Sequence, residues 1–328
     1  FYLTGRSFDY RAEEYLLVNP RRTNTNQSKR MNTDIVGFGS GLENMDWIRK
    51  SDRLKNIGKY ISGKKLDIEW GFTFGEGAYL RSKVKRLRIK PSRSPVDIMR
   101  QVKDSSELSK IGKSMQIVGK VFQLVRKEIK KPGMTEIRLA QFIQKNGLRM
   151  GAEDISFPAI VASGANAAVP HHVPSSKKLK AGESIIIDFG FKYKHYCSDF
   201  TRTVFLKRVP LKLEKAYNQV EKAYNESIQF VSSRMHLRDL LNSGKAIPRS
   251  AALSRNDTGV TGNDVYQKAV DILAEKKLDK YFIHSLGHGT GLEIHELPNL
   301  SPGSKDVLRN GMVFSIEPGV YIPKLGGI

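Results

Sequence analysis

The sequence predicts an α+β protein in two parts, a smaller α/β domain over residues 1–95 and a larger, strand-rich domain over 96–328. Three observations carry this. The chain has 328 residues, more than one typical domain, and Pro91-Ser92-Arg93-Ser94-Pro95 has the composition of a stiff linker. Beyond the linker, apolar residues recur at helical spacing through Leu108, Ile111, Met115, Val118 and Val121. Further on, that period gives way to short β-branched runs such as Ile185-Ile186-Ile187, the pattern of buried strands.

The elements follow in order. The segment Arg21 to Asn32 is polar and loop-like. Arg81 to Lys90, RSKVKRLRIK, alternates basic and apolar residues and is expected to form a strand with one solvated, positive face. A helix begins at Asp104 and ends before Pro132-Gly133; a second runs from Thr135 to about Asn146. Residues 157–206 read as strands and 211–231 as a helix. Residues 232–258 are rich in Arg and Ser, have no sustained apolar period, and are expected to bury little surface. A helix from Gly262 to Lys277 restores the pattern.

The chemistry concentrates in four places. HSLGHGTGLEIHE carries His284, His288 and His295, three of the seven histidines. Gly287, Gly289 and Gly291 alternate among them, which disfavours a helix and suits backbone that comes close to a ligand. Imidazole is the commonest metal ligand and a common acid–base group. In SIIIDFGFKYKHYCSDFTRTVF an apolar run ends at Asp188, and Asp199 follows after a turn. A carboxylate at the end of an apolar strand is costly to bury unless it is paired or holds a metal. In MVFSIEPGVYIP, Glu317 follows a third apolar run and precedes Pro318-Gly319. In FPAIVASGANAAVPHH a Gly/Ala/Asn loop delivers His171 and His172. Alone, a strand-end aspartate is commonly a cap and a single histidine structural. Asp, Asp, His and Glu, each closing an apolar run, point instead to a metal. Oxygen ligands with imidazole and no thiolate suit Mn²⁺, Co²⁺ or Zn²⁺, and two carboxylates able to bridge suggest a pair of ions.

On these motifs the chain resembles the aminopeptidase P and prolidase group of the pita-bread (M24) metallopeptidases, strongly over residues 96–328 and weakly before. The resemblance implies a pita-bread catalytic domain behind an incomplete amino-terminal domain. It also implies two divalent metal ions and a reaction in which a metal-bound hydroxide attacks the carbonyl preceding proline. By the family pattern the metal ligands are Asp188 (IDFG), Asp199 (SDFTRT), His288 (HSLGH) and Glu317 (IEPG), with Glu317 also shuttling a proton. His171, the first of its pair, His284 and His295 (EIHE) would surround the substrate carbonyl and leaving amine. Thr290 stands where the family has an aliphatic residue. A fifth, bridging glutamate belongs to an Arg-Ile-Glu-Asp-like stretch after Gly326-Gly327-Ile328. The chain is therefore expected to be cut at both ends, to hold one ion well and a second weakly, and to hydrolyse slowly. Residues 232–258 stand where the family has about two residues, and are expected to be an insertion. The implied substrate is an X-Pro dipeptide or a peptide with proline second, and the implied assembly a homodimer.

Composition bounds the rivals. The net charge is +22, with 20 basic against 10 acidic side chains in residues 1–95. Such a surface attracts nucleic acid non-specifically, but no nucleic-acid motif accompanies it. No run approaches the 18 or so apolar residues of a membrane span. With one cysteine, Cys197, no disulfide forms within the chain, which suits a reducing cytoplasm; its place between the aspartates reads as packing. A methionine aminopeptidase is disfavoured by the upstream domain and by the PHH and EIHE segments. The four metal-type residues disfavour a creatinase-like enzyme and an inactive module that binds protein or nucleic acid.

Overall fold

The computed structural model describes residues 17–19, 34–36, 65–69, 73–242 and 259–328. They divide into two compact units, Phe1–Ser92 and Arg93–Ile328.

In the first unit β1 (Leu17–Asn19) pairs antiparallel with β2 (Asp34–Val36). A second pair is parallel: β3 (Lys65–Glu69), helix α1 (Phe74–Lys83), then β4 (Arg88–Ser92). The RSKVKRLRIK run is therefore not one strand. Thr73 and Glu76 form a reciprocal capping box that starts α1, and the helix carries the run as far as Lys83. Leu80 and Leu87 are buried against Leu66, Tyr79, Val84 and Ile89. Pro91 and Ser92 belong to β4, so the expected linker is ordered at its start.

The second unit opens with α2 (Pro95–Arg100), capped by Ser94. Helix α3 (Ser105–Glu128) has a capping box between Asp104 and Glu107. Its buried stripe runs through Ile111, Ser114, Val118, Val121 and Val125, and leaves Leu108 and Met115 exposed. The face is rotated from the apolar spacing because Ser114 faces inward, where its hydroxyl donates to the Phe191 carbonyl at 2.7 Å. Helix α4 (Glu136–Arg149) packs against α3. Both cover strands β5 (Asp154–Ile155), β6 (Ile160–Ser163), β7 (Ser184–Phe189), β8 (Phe191–Tyr193), β9 (Tyr196–Cys197) and β10 (Phe200–Phe205). Strand β7 lies between β6 and β10, antiparallel to each, which sets Asp188 opposite Ile160 and Thr201. Gly190 between β7 and β8 has no room for a side chain: a Cβ there would lie 1.8 Å from the Ser198 carbonyl oxygen.

A second core forms between α5 (Leu211–Asn242) and α6 (Gly262–Ala274), with Leu286, Leu300, Leu308 and Val320. Helix α5 continues past the expected end at 231 into the 232–258 segment. Residues 243–258 lie outside the described residues. Strand β11 (Gly287–Gly289) pairs with β12 (Glu296–Leu300), and β13 (Tyr321–Ile322) with β14 (Gly326–Gly327).

Candidate metal centre

The two cores of the second unit each contribute carboxylates to one place. Asp188 is the penultimate residue of β7 and Asp199 directly precedes β10, so the hairpin between them brings the two together. His288 is the middle residue of β11. Its neighbour on the other side is the irregular stretch before Glu317: the Ser315 amide donates to the His288 carbonyl at 2.9 Å, and the Glu317 amide to the Leu286 carbonyl at 2.8 Å. This close packing explains the alternating glycines. A Cβ at Gly287 would lie 2.1 Å from the Ser315 carbonyl oxygen, and one at Gly289 2.2 Å from that of Leu297. The close approach read from the glycines is to neighbouring backbone, not to a ligand.

One ligand atom each from Asp199, His288 and Glu317 lies within 4.8 Å of the others. His288 Nε2 is 3.4 Å from Asp199 Oδ2 and 3.4 Å from Glu317 Oε1. His288 Nδ1 is 3.0 Å from the Gly289 carbonyl, which can only accept, so Nδ1 carries a proton and Nε2 faces the carboxylates. Burial opposes protonation of this ring, but Asp199, the Gly289 carbonyl and Glu317 outweigh it and raise the imidazole above its ordinary range. Asp188 lies beside the group. Burial foremost, then the charges of Asp199 and Glu317, hold its carboxyl well above the usual carboxylate range, against a hydrogen bond from Thr201. Its Oδ1 is buried with no hydrogen-bond partner among the described residues. Glu317 is raised by burial and by Asp199, with the Ser315 hydroxyl acting the other way.

Three crowded carboxylates, an imidazole nitrogen turned towards them and an unpartnered buried oxygen fit a hard or borderline divalent cation. A cation satisfies Asp188 Oδ1 and removes the like-charge repulsion that neutral donors leave in place.

Of the other histidines, His295 packs on His288 and His284 on Tyr321. The His295 ring packs edge-on against His288 with centroids 4.3 Å apart. Burial and His288 lower its pKa. His284 donates from Nδ1 to the Ser285 carbonyl at 2.6 Å, and burial keeps the ring neutral by lowering its pKa. Its Nε2 then accepts from the Tyr321 hydroxyl at 3.1 Å. His171 is exposed, and its charge acts on both His284 and His295. His172 turns away, with Nε2 3.0 Å from Glu136 Oε2. Cys197 is buried in β9; burial pushes its thiol up to about 11, so it stays protonated.

Several residues of the surroundings were not evident in the sequence. Tyr321 fixes the His284 ring. The Glu296 side chain, next to His295, is 4% exposed and held by Lys103 Nζ at 3.0 Å and by Arg100. Glu136 gathers the loop that carries His171. Arg100 and Glu296 are 196 positions apart, and no local pattern announces such a pair.

The residues 109–328 match the family described as metallopeptidase family M24. An Xaa-Pro dipeptidase of Pyrococcus horikoshii is 33% identical over 282 residues, 86% of this chain and 73% of that protein. A Mycoplasma pneumoniae protein is 38% identical over 232 residues; the match spans 70% of this chain and 58% of the relative's length. Among solved structures, the prolidase from Pyrococcus furiosus superposes with a TM-score of 0.68 at 31% identity, covering 83% of this chain and 73% of that one.

Proposed function

The chain belongs to metallopeptidase family M24 and has its pita-bread fold, and from that premise we propose that it hydrolyses the peptide bond preceding proline in Xaa-Pro substrates. The convergence of Asp199, His288 and Glu317, beside Asp188 Oδ1, which is buried with no hydrogen-bond partner among the described residues, carries this reading. Names carried by relatives, Xaa-Pro dipeptidase and prolidase, support the substrate class. The ligands in this reading are Asp188, Asp199, His288 and Glu317, and the cofactor is two divalent ions, Mn²⁺, Co²⁺ or Zn²⁺. We read the protein as a cytoplasmic homodimer. Among the described residues no helix is long and apolar enough to cross a membrane.

Bound cations would supply a nucleophilic hydroxide at neutral pH and polarise the scissile carbonyl. The remaining work falls to side chains. His284 is held in one tautomer by Ser285 and Tyr321, and His295 packs edge-on against His288. With His171, they present polar groups where charge develops on the carbonyl oxygen and leaving nitrogen. Glu317 accepts and returns the proton of the attacking water.

Loading the chain with Mn²⁺ and following release of proline from Ala-Pro tests this. Hydrolysis that requires the metal and is lost in Asp199→Ala supports it. Metal binding with hydrolysis of non-proline peptides at equal rates would replace the substrate assignment.

A further inference from the structure

The loop that carries His171 is tied down by one buried carboxylate on another element. Glu136, the first residue of α4, is 0% exposed. Its Oε1 accepts from the Ser163 amide at 2.8 Å and hydroxyl at 2.7 Å. Its Oε2 accepts from the Ser175 amide at 3.1 Å and hydroxyl at 2.6 Å. The Asn166 amide reaches both oxygens at 3.1 Å, and His172 Nε2 lies 3.0 Å from Oε2. Every one of these donors lies between Ser163 and Ser175, so a single side chain grips both ends of the stretch containing His171. The backbone adds to it: the amides of Glu136 and Ile137, free at a helix start, donate to the carbonyls of Lys177 and Ser175. Lys177 in turn reaches the Ser163 hydroxyl at 2.8 Å.

His171 itself is exposed, and its ring has no hydrogen-bond partner among the described residues. Its aim is therefore set by its backbone. His172 is committed to Glu136, which separates the roles of the adjacent pair. Resting on the reading of His171 as a group that faces substrate, we propose that Glu136 is the positioning residue that fixes the stretch carrying His171 and so sets where its ring is presented. A carboxylate is required there because it accepts on all sides. A glutamine turns an N–H towards fixed donors, and the Ser163 and Ser175 backbone amides cannot reverse.

The first test needs no activity. The histidine ring C–H resonances of the metal-free 328-residue chain are compared in wild type, Glu136→Gln and His171→Ala. The proposal expects the Glu136→Gln chain, still folded by its methyl spectrum, to shift the His171 resonances away from their wild-type positions. His284 should move to where His171→Ala places it. Unchanged His171 and His284 signals in a folded Glu136→Gln chain overturn it. Where that variant does not fold, His172→Ala is read in the same way, with His172→Gln, which keeps an N–H donor, expected to restore the wild-type spectrum; failure of that restoration counts against the proposal.

The second test uses Mn²⁺-loaded enzyme and Ala-Pro. Glu136→Gln should lower kcat by up to about 100-fold, the scale of a misplaced catalytic group, with KM little changed. The double variant Glu136→Gln/His171→Ala should be no slower than His171→Ala alone. Multiplicative losses would show that Glu136 acts independently of His171. A wild-type chain that binds Mn²⁺ and cleaves non-proline dipeptides as fast as Xaa-Pro ones would refute the substrate reading, while the resonance comparison still decides the role of Glu136.

Discussion

Two buried carboxylate sites in the same unit are built in opposite ways. Around Glu136, serine hydroxyls, backbone amides, an asparagine and a histidine all point inward. Burial alone would raise its pKa, but the hydrogen bonds of Ser175, Ser163 and His172 outweigh it and hold it at about 2. Around Asp188 and Glu317 the neighbours are other carboxylates. Burial and mutual repulsion raise both, and Asp188 keeps an oxygen with no partner among the described residues. Fixed dipoles complete the first site, so it serves as structure. The second is incomplete as a purely protein site, and only a mobile positive charge completes it.

The largest way to break this comparison is to remove the proposed cation ligands. His288→Ala and Asp199→Ala should each lower kcat/KM on Ala-Pro by more than the 10–100-fold typical of groups that only orient a ligand. Calorimetric titration with Mn²⁺ should lose its tightest site in both. A variant that binds and hydrolyses normally would remove that residue from the centre.

Next in size is Glu136→Gln, read now as stability. Leaving buried donors unpaired should reduce the unfolding free energy by about 3 kcal/mol, a fall of roughly 2–4 °C in Tm for each kcal/mol. The deficit should be equal with and without Mn²⁺. Because Glu136 is depressed in the folded state, its contribution is present above the usual carboxylate range and is lost as pH falls towards about 2. The difference between wild type and Glu136→Gln should therefore shrink with acid. A difference that grows on acidification contradicts the assignment.

The smallest effect concerns Lys103. Its ammonium is buried beside Glu296, so Lys103→Met should disturb His295 through β12. We expect roughly a tenfold rise in KM or fall in kcat, with Mn²⁺ affinity unchanged. Altered Mn²⁺ affinity would mean that the network supports the centre itself.

The sequence made some of this legible and hid the rest, for physical reasons. The α+β class follows from the change of apolar period after the two helices, a local property of the chain. The positions of Asp188 and Asp199 at the ends of apolar runs are likewise local. Glu317 was read after a strand, yet its approach is irregular, joined to β11 through Gly289 and Phe314 by an isolated bridge. The basic run at 81–90 misled because the Thr73 and Glu76 capping box outweighs alternation. The stripe of α3 was misplaced because Ser114 is buried by its hydrogen bonds. Glu136 and its donors are 27–39 positions apart, and only folding reveals that one carboxylate closes the histidine loop.

The most direct measurement is the Tm of wild type and Asp188→Asn between pH 5 and pH 8, with and without Mn²⁺. A carboxyl raised in the folded state stabilises fully below the usual carboxylate pKa, and that stability is lost as pH rises through the raised value. Without metal, wild type should lose stability with rising pH relative to Asp188→Asn, so that the variant is the more stable at pH 8. Saturating Mn²⁺ should reverse the order, raising wild type by about 2.7 kcal/mol at a hundred times its Kd and the variant by much less. A metal-free Asp188→Asn that melts below wild type at pH 8, or a wild type whose Tm ignores Mn²⁺, would contradict the claim that these carboxylates are arranged for a cation.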